Sequence, residues 1–355
     1  MSRGASSNFG KAMARRMTRL IDWSPQGRVT ARTLAAAIIG VSGPILFGLA
    51  VGRPTLGLTM GLGALLLSGG GDTGPAHRWR AAAASFVMAV LSVGAALLIV
   101  TSPAPDLAMV GLAFAAALFS GFSRSIGPVA IRTIILTVLS VTLLDSRNAD
   151  QEALSVIFVL GAGWNILVRT ILAEPAAPRE RPEPPRLTSR QLWANWRRSL
   201  STVQGWQFPL RLAGGLAAAC ALRDVWPDRH FGWIILTTAL LTQRPLEPFP
   251  AKILQRAVGT LAGVGLAGWL LSDTLKPEAA TALIAGLVAL AFLARPRSYL
   301  LYTSLSTPIV LLVMDLGKAL DPHLSIDRLL ATLVAAAIVL IGNRAAIAFA
   351  GVRTP

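Results

Sequence analysis

Two stretches of the chain, about 32–170 and about 211–350, each hold six apolar segments whose polar landmarks fall in matching places. Arg32 corresponds to Arg211, Arg80 to Arg256, Thr137 to Thr307, Asp145 to Asp315 and Asn165 to Asn343, at offsets of roughly 170 to 180 residues. Such a doubled unit constrains the fold more than any local propensity, because each copy must be the same supersecondary unit. Six is even, so both copies enter a membrane from the same side, related by an axis along its normal, and a pathway can run between them. The expectation is an all-α, polytopic integral membrane protein of about twelve transmembrane helices in two parallel six-helix repeats.

Composition agrees with a bilayer solvent. Hydrophobic residues make up 54% and charged residues 14%, against about 25% charged in soluble domains, and the mean hydropathy is +0.60. The formal net charge of +16 sits in short clusters between apolar runs, not in a basic stripe with interleaved aromatics. It therefore reads as a membrane-facing surface and excludes nucleic acid as a partner. Cys220 lies alone in an apolar segment, and His77, His230 and His323 are scattered among predicted loops. No metal site, disulfide or cofactor is expected from them. The basic stretch 11–19 is mixed with hydrophobics and the first long apolar run begins near Ala31, so no cleavable signal is expected.

The spacing predicts spans at 31–51, 54–70, 79–100, 106–121, 127–144 and 152–172, then 207–225, 231–243, 253–272, 278–293, 298–315 and 326–350, against the roughly 20 residues a span needs. Segments 54–70 and 231–243 are under-length at the same place in each copy, and the first carries Gly57, Gly61, Gly63, Gly69 and Gly70. Short, Gly-interrupted segments at corresponding positions point toward a binding site, or else mark closely packed or tilted helices. Basic residues fall on one side (Arg28, Arg78, Arg124, Arg244, Arg295, Arg353) and acids on the other (Asp106, Asp150, Asp224, Asp273, Asp327), which puts both termini in the cytoplasm of a bacterial inner membrane.

Four divisions follow: a cytoplasmic segment 1–30 with an interfacial amphipathic helix at 9–21, a first membrane repeat 31–172, a Pro-rich linker and interfacial helix 173–206, and a second repeat 207–355. The linker 174–190 is too proline-rich and charged to pack. After it, Trp193, Trp196, Leu200 and Val203 recur opposite Arg197 and Arg198, as in a helix lying in the interface.

Within the spans, Gly57 and Gly61, and again Gly259 and Gly263, form small-xxx-small patterns that suit close helix packing or a helix lining a pathway. Arg32, Arg80, Arg211 and Arg256 lie near the predicted cytoplasmic helix ends. They either snorkel to fix those ends or gather positive charge that attracts organic anions. Arg132 lies deeper, after Pro128, and its counterpart Tyr302 is neutral, an asymmetry that suits a site. Thr133, Thr137, Thr303, Ser304, Ser306 and Thr307 can bond substrate or neighbouring helices. Asp145 and Asp315 end their helices as solvated carboxylates or as proton relays. The sequence has no HExxH, GxSxG or GxxxxGK[ST] motif and no paired carboxylates in an apolar helix, so it does not read as an enzyme.

Residues 233–243, WIILTTALLTQ, followed by 256–263, RAVGTLAG, resemble the signature of the fusaric acid resistance and aromatic acid exporter family, to which the plant aluminium-activated malate channels are distantly similar. Segments 32–63 and 79–94 look like a degenerate copy in which Ala81, Ala82 and Ala83 follow Arg80 and the Gly-Thr pair is missing. The resemblance implies efflux of small organic anions, aromatic carboxylates among them, driven by protons in the exporters and passive in the channels. It also implies a periplasmic adaptor as partner. Unlike longer relatives with large cytoplasmic domains, this chain offers only the 173–206 connector. On this reading Arg80, Arg132 and Arg256 bind charge and Trp233, Thr237 and Thr307 line the path, with Arg32, Arg211, Thr260 and Thr137 in support. A passive channel of the same fold and a non-transporting membrane scaffold are the rival readings; oligomeric state is left open.

Overall fold

A computed structural model describes residues 30–66, 78–123, 126–145, 151–172, 188–227, 231–247, 250–270, 276–314 and 322–350. Every element among them is helical: α1 (Ala31–Ala50), α2 (Pro54–Leu66), α3 (Arg78–Val100), α4 (Pro105–Phe119), α5 (Ile126–Asp145), α6 (Gln151–Leu172), α7 (Ser189–Leu200), α8 (Val203–Val225), α9 (Gly232–Leu241), α10 (Ala251–Leu270), α11 (Pro277–Ala294), α12 (Tyr299–Met314) and α13 (Pro322–Ala350). Five stretches of helix, in α1, α3, α6, α10 and α13, are long and apolar enough to cross a membrane. The described residues are thus all-helical in their regular structure, and the chain is a multi-pass membrane protein. The expectations for 9–21, for most of the linker, for Gly69 and Gly70, for His77 and His230, and for Asp315 fall outside the described residues, as do the side chains of Asp145 and His323.

Local chemistry explains the boundaries. Thr30 caps α1 by accepting from the Thr33 amide at 3.3 Å, and Gly52 at φ 68° turns the chain into α2. This is a left-handed position that glycine takes without Cβ strain. Pro105 and Asp106 open α4, the first lacking an amide that needs a partner and the second facing the positive helix end. Thr188 and Gln191 form a reciprocal capping box at α7.

One boundary differs from the sequence reading. The interfacial helix expected to run to 206 stops at Leu200, and α8 already begins at Val203. A side chain at Gly205 would collide with the Ser199 backbone, and the Trp206 indole donates to the Leu200 carbonyl at 2.7 Å. The corner is bolted too tightly for one continuous helix.

The two under-length segments are short helices with buried flanks. α9 has ten residues, about 15 Å of helix, and buries eight of them. Such a piece is half a hydrocarbon core long and satisfies the membrane only because protein surrounds it. In α2, Gly57 meets the Pro44 and Ile45 carbonyls at 2.8 Å and Gly61 meets the Ile45 side chain at 2.7 Å, distances measured from an added Cβ. These glycines let α1 and α2 touch backbone to backbone.

Two apolar cores result. One joins α3, α4 and α5 to α8, α9 and α13 through residues such as Met109, Val138, Leu216, Ile234 and Ala335. The other joins α1, α2, α3 and α6 to α11 and α12 through Val41, Leu62, Phe158, Ile284 and Ile309. Each core takes helices from both parts of the chain.

Candidate anion site

Helical periodicity drives two arginines inward. On α10 the buried stripe is Ile253, Arg256, Gly259, Thr260, Gly263 and Ala267, so Arg256 occupies a position that an apolar residue would ordinarily take. On α13 the stripe runs Asp327, Arg328, Ala331, Thr332, Ala335, Ala336, Val339 and Asn343, and Arg328 falls on it in the same way. The glycines of α10 press that helix onto α12: an added Cβ at Gly259 would sit 2.8 Å from Thr303 Cβ, and one at Gly263 would sit 2.7 Å from Thr307 Cβ. Close approach seats Arg256 beside α12.

Both arginines are buried in the interior. Arg328 is 4% exposed and Arg256 7%, and they lie within electrostatic range of each other. Arg328 stacks over the Trp233 ring with its Cζ 3.8 Å from the centroid. Arg256 interacts with the Tyr299 phenol, over whose ring Lys252 Nζ stands at 5.2 Å. Among the described residues, Arg256 Nε, Arg328 Nε and Arg328 Nη1 are buried without hydrogen-bond partners, as are the hydroxyls of Thr237, Thr238 and Thr260. Three cations therefore lie around one Trp and one Tyr; Lys252 Nζ donates to the Leu240 carbonyl at 3.5 Å, whereas the two arginines keep unpartnered guanidinium nitrogens. An unsatisfied buried charged donor costs more than the roughly 1–3 kcal/mol of a neutral one, and like charges at close range add to that. A bound anion relieves both.

The expected site residues divide by place. Trp233 and Arg256 are brought together with Arg328, Tyr299 and Thr303, while Thr237 and Thr260 are buried one turn along from Trp233 and Arg256 on the same helices. Thr307 is buried nearby, but its hydroxyl donates to the Thr303 carbonyl at 2.9 Å and its Cβ packs on Gly263. Thr137 is buried on α5, which packs against α9, with its hydroxyl unpartnered. Arg32, Arg80 and Arg132 are exposed on α1, α3 and α5, outside the cluster.

Arg211 is buried and committed elsewhere. It donates to the Gln207 carbonyl at 3.3 Å, to Asn343 Oδ1, and to the Gln243 and Arg244 carbonyls at 2.9 and 3.3 Å. Its partners are all neutral, and it ties α8 to α13 and to the end of α9.

Arg328 and Tyr299 escape sequence reasoning. Arg328 follows Asp327 at the start of a predicted span, where a charge reads as a helix end in water. The usable signal was α13 itself: with the helix opening at Pro322, Arg328 lies nearly two turns inside.

Buried and half-buried cations stacked on aromatic rings inside a multi-pass helical protein are the class of arrangement these residues define. Residues 216–342, which hold every residue of this cluster, match the family model described as fusaric acid resistance protein-like. That match makes this part of the chain similar to the fusaric acid resistance protein-like family. No curated protein and no solved structure matches the chain.

Proposed function

We propose that this protein exports small organic anions, aromatic carboxylates foremost, across the bacterial inner membrane through a path between two six-helix repeats. The observation that carries the proposal is the pair Arg256 and Arg328, both buried, within electrostatic range of each other and with N–H groups unpartnered among the described residues. An ionisable group at membrane depth is tolerated where it serves a substrate pathway. A carboxylate fits this pair because guanidinium offers parallel donors to two oxygens, while its planar face stacks on an aromatic ring. Trp233 already covers one face of Arg328; an aromatic substrate adds a ring on the other.

Packing supports the repeat reading. Helix α1 packs on α2 and α6, α2 on α6, α3 on α5 and α6, and α4 on α5. The second part shows the same pairs in the same order: α8 with α9 and α13, α9 with α13, α10 with α12 and α13, and α11 with α12. Between the parts, α4 packs on α8 and α11 on α1, contacts that exchange when the parts are swapped. The offset that pairs Asn165 with Asn343 puts Asp150 opposite Arg328, so the double-arginine site belongs to one repeat only. The proton gradient is assigned as the driving force on the family resemblance.

The test is uptake of labelled aromatic carboxylates into inside-out vesicles containing the full chain. Arg256→Lys should weaken apparent affinity about tenfold, the value of one lost charge-assisted bond, and Arg328→Gln should abolish saturable uptake. Unchanged rate and half-saturation in both variants would remove the anion site. Uptake that persists after collapse of the proton gradient and follows the anion gradient alone would make the protein a channel.

A further inference from the structure

On the outer flank of α8 and α13 lies an open groove of about 490 Å³. Its walls are the apolar Val203, Trp206, Leu210, Ile338, Ile341 and Phe349, and its floor is made of small residues. Added Cβ atoms at Gly214 and Gly342 would meet nothing within 4 Å. These glycines serve no helix contact, and what they leave is room. From Val203 to Ala218 the groove follows about 22 Å of helix, more than the roughly 15 Å of one hydrocarbon leaflet.

At the α7–α8 corner the groove meets a second cavity, of about 740 Å³, lined by Asn195, Arg198, Ser199, Thr202, Gln204, Gln207, Arg244, Pro245 and Leu246. Gln207 lines both. With Arg211 in the groove, the two cavities carry three arginines and, among the described residues, no acid. Gln207 donates to the Arg244 carbonyl at 3.1 Å, while its Oε1 is buried and without a partner. An apolar trough one leaflet long therefore ends in a basic chamber holding one unfilled acceptor.

We propose that this is a binding site for an anionic glycerophospholipid. An acyl chain lies along α8 and α13 beside Trp206, the phosphate sits between Arg198 and Arg244, and a headgroup hydroxyl donates to Gln207 Oε1. Charge decides the occupant. A second copy of this chain, docked about a two-fold axis on the same patch, would bring its own Arg198 and Arg244 against these two, whereas a phosphate neutralises them. The inference rests on the membrane placement of α8 and α13 and not on the reading of Arg256 and Arg328.

The experiment uses the purified full chain in phosphatidylcholine nanodiscs doped with brominated-chain phosphatidylglycerol or, in the parallel arm, brominated-chain phosphatidylcholine. The signal is the tryptophan quenching lost in Trp206→Phe, which isolates the groove from the other indoles. Phosphatidylglycerol should quench it at about tenfold lower mole fraction than phosphatidylcholine. The preference should vanish in Arg198→Gln with Arg244→Gln. Gly214→Leu with Gly342→Leu, at positions with open space for the new side chains, should abolish the Trp206 signal while leaving the helical content unchanged. Equal quenching by both lipids, or a preference that survives the arginine changes, would reduce the groove to ordinary lipid contact and overturn the proposal. So would a protein whose mass shows the groove holding a second copy.

Discussion

Arg328 is the residue on which stability and function should part company. Its guanidinium is fully desolvated and makes no ion pair among the described residues; its compensation is the stack on Trp233. A cation–π contact contributes about 0.5–2 kcal/mol, whereas burying an unpaired charge costs several kcal/mol even after relaxation. The penalty wins. Arg328→Met, which keeps the length of the side chain and a favourable sulfur–aromatic contact, should therefore stabilise the protein by about 1–4 kcal/mol and eliminate anion transport. Thermal unfolding of the purified variant beside vesicle uptake checks both. A destabilised Arg328→Met with normal uptake would make the arginine structural. At this scale the sequence was half legible. Trp233, Thr237, Arg256 and Thr260 stood out because apolar runs make polar residues conspicuous. Arg211 looked identical to Arg256, yet it is spent on neutral acceptors, since only three-dimensional packing brings the Gln243 and Arg244 carbonyls and Asn343 around it.

Among the elements, α7 shows how one aromatic can fix a helix to the body of the protein. Trp196 is buried, donates to the Leu118 carbonyl at 3.2 Å and stacks on Phe119 with centroids 5.4 Å apart. Phe122 meets it edge-on at 6.0 Å, so the end of α4 forms an aromatic seat. Trp193 is half exposed beside it, and Arg197 and Arg198 face outward, the split expected of a helix at a lipid surface. Removing a buried Trp costs about 3–5 kcal/mol, more than twelve exposed residues can supply by themselves. Trp196→Ala should thus strip amide-exchange protection from 189–200 while leaving α10 and α12 protected. Retained protection in α7 would show that the capping box and corner suffice. The amphipathic pattern of this helix was visible in the sequence; its end was not. The period continues through Val203, and the break comes from Gly205 lying against Ser199, a contact between backbones that no hydrophobic pattern encodes.

For the whole molecule, the decisive fact is how the two cores are shared. One draws α3, α4 and α5 against α8, α9 and α13, and the other draws α1, α2 and α6 against α11 and α12. An ion pair of 2.7 Å between Arg223 and Asp106 joins α8 to α4 across that division. Neither part can bury its apolar surface alone, for each supplies only one wall of each core, and lipid tails give no hydrophobic force to substitute for the missing wall's packing. The linker sequence 174–187 is proline-rich and charged, with little apolar surface to offer. A chain cut between Ala176 and Glu183 should therefore yield two pieces that co-purify and transport when made together. Each piece made alone should be degraded or lack activity. The sequence suggested a doubling through Arg80 with Arg256 and Asn165 with Asn343, but it could not say that the two parts of the chain share each core. A first piece that transports alone would mean that the path lies within one copy; mutual rescue by two inert pieces would place it at the shared cores, where Arg256 and Arg328 already lie on helices that bound them.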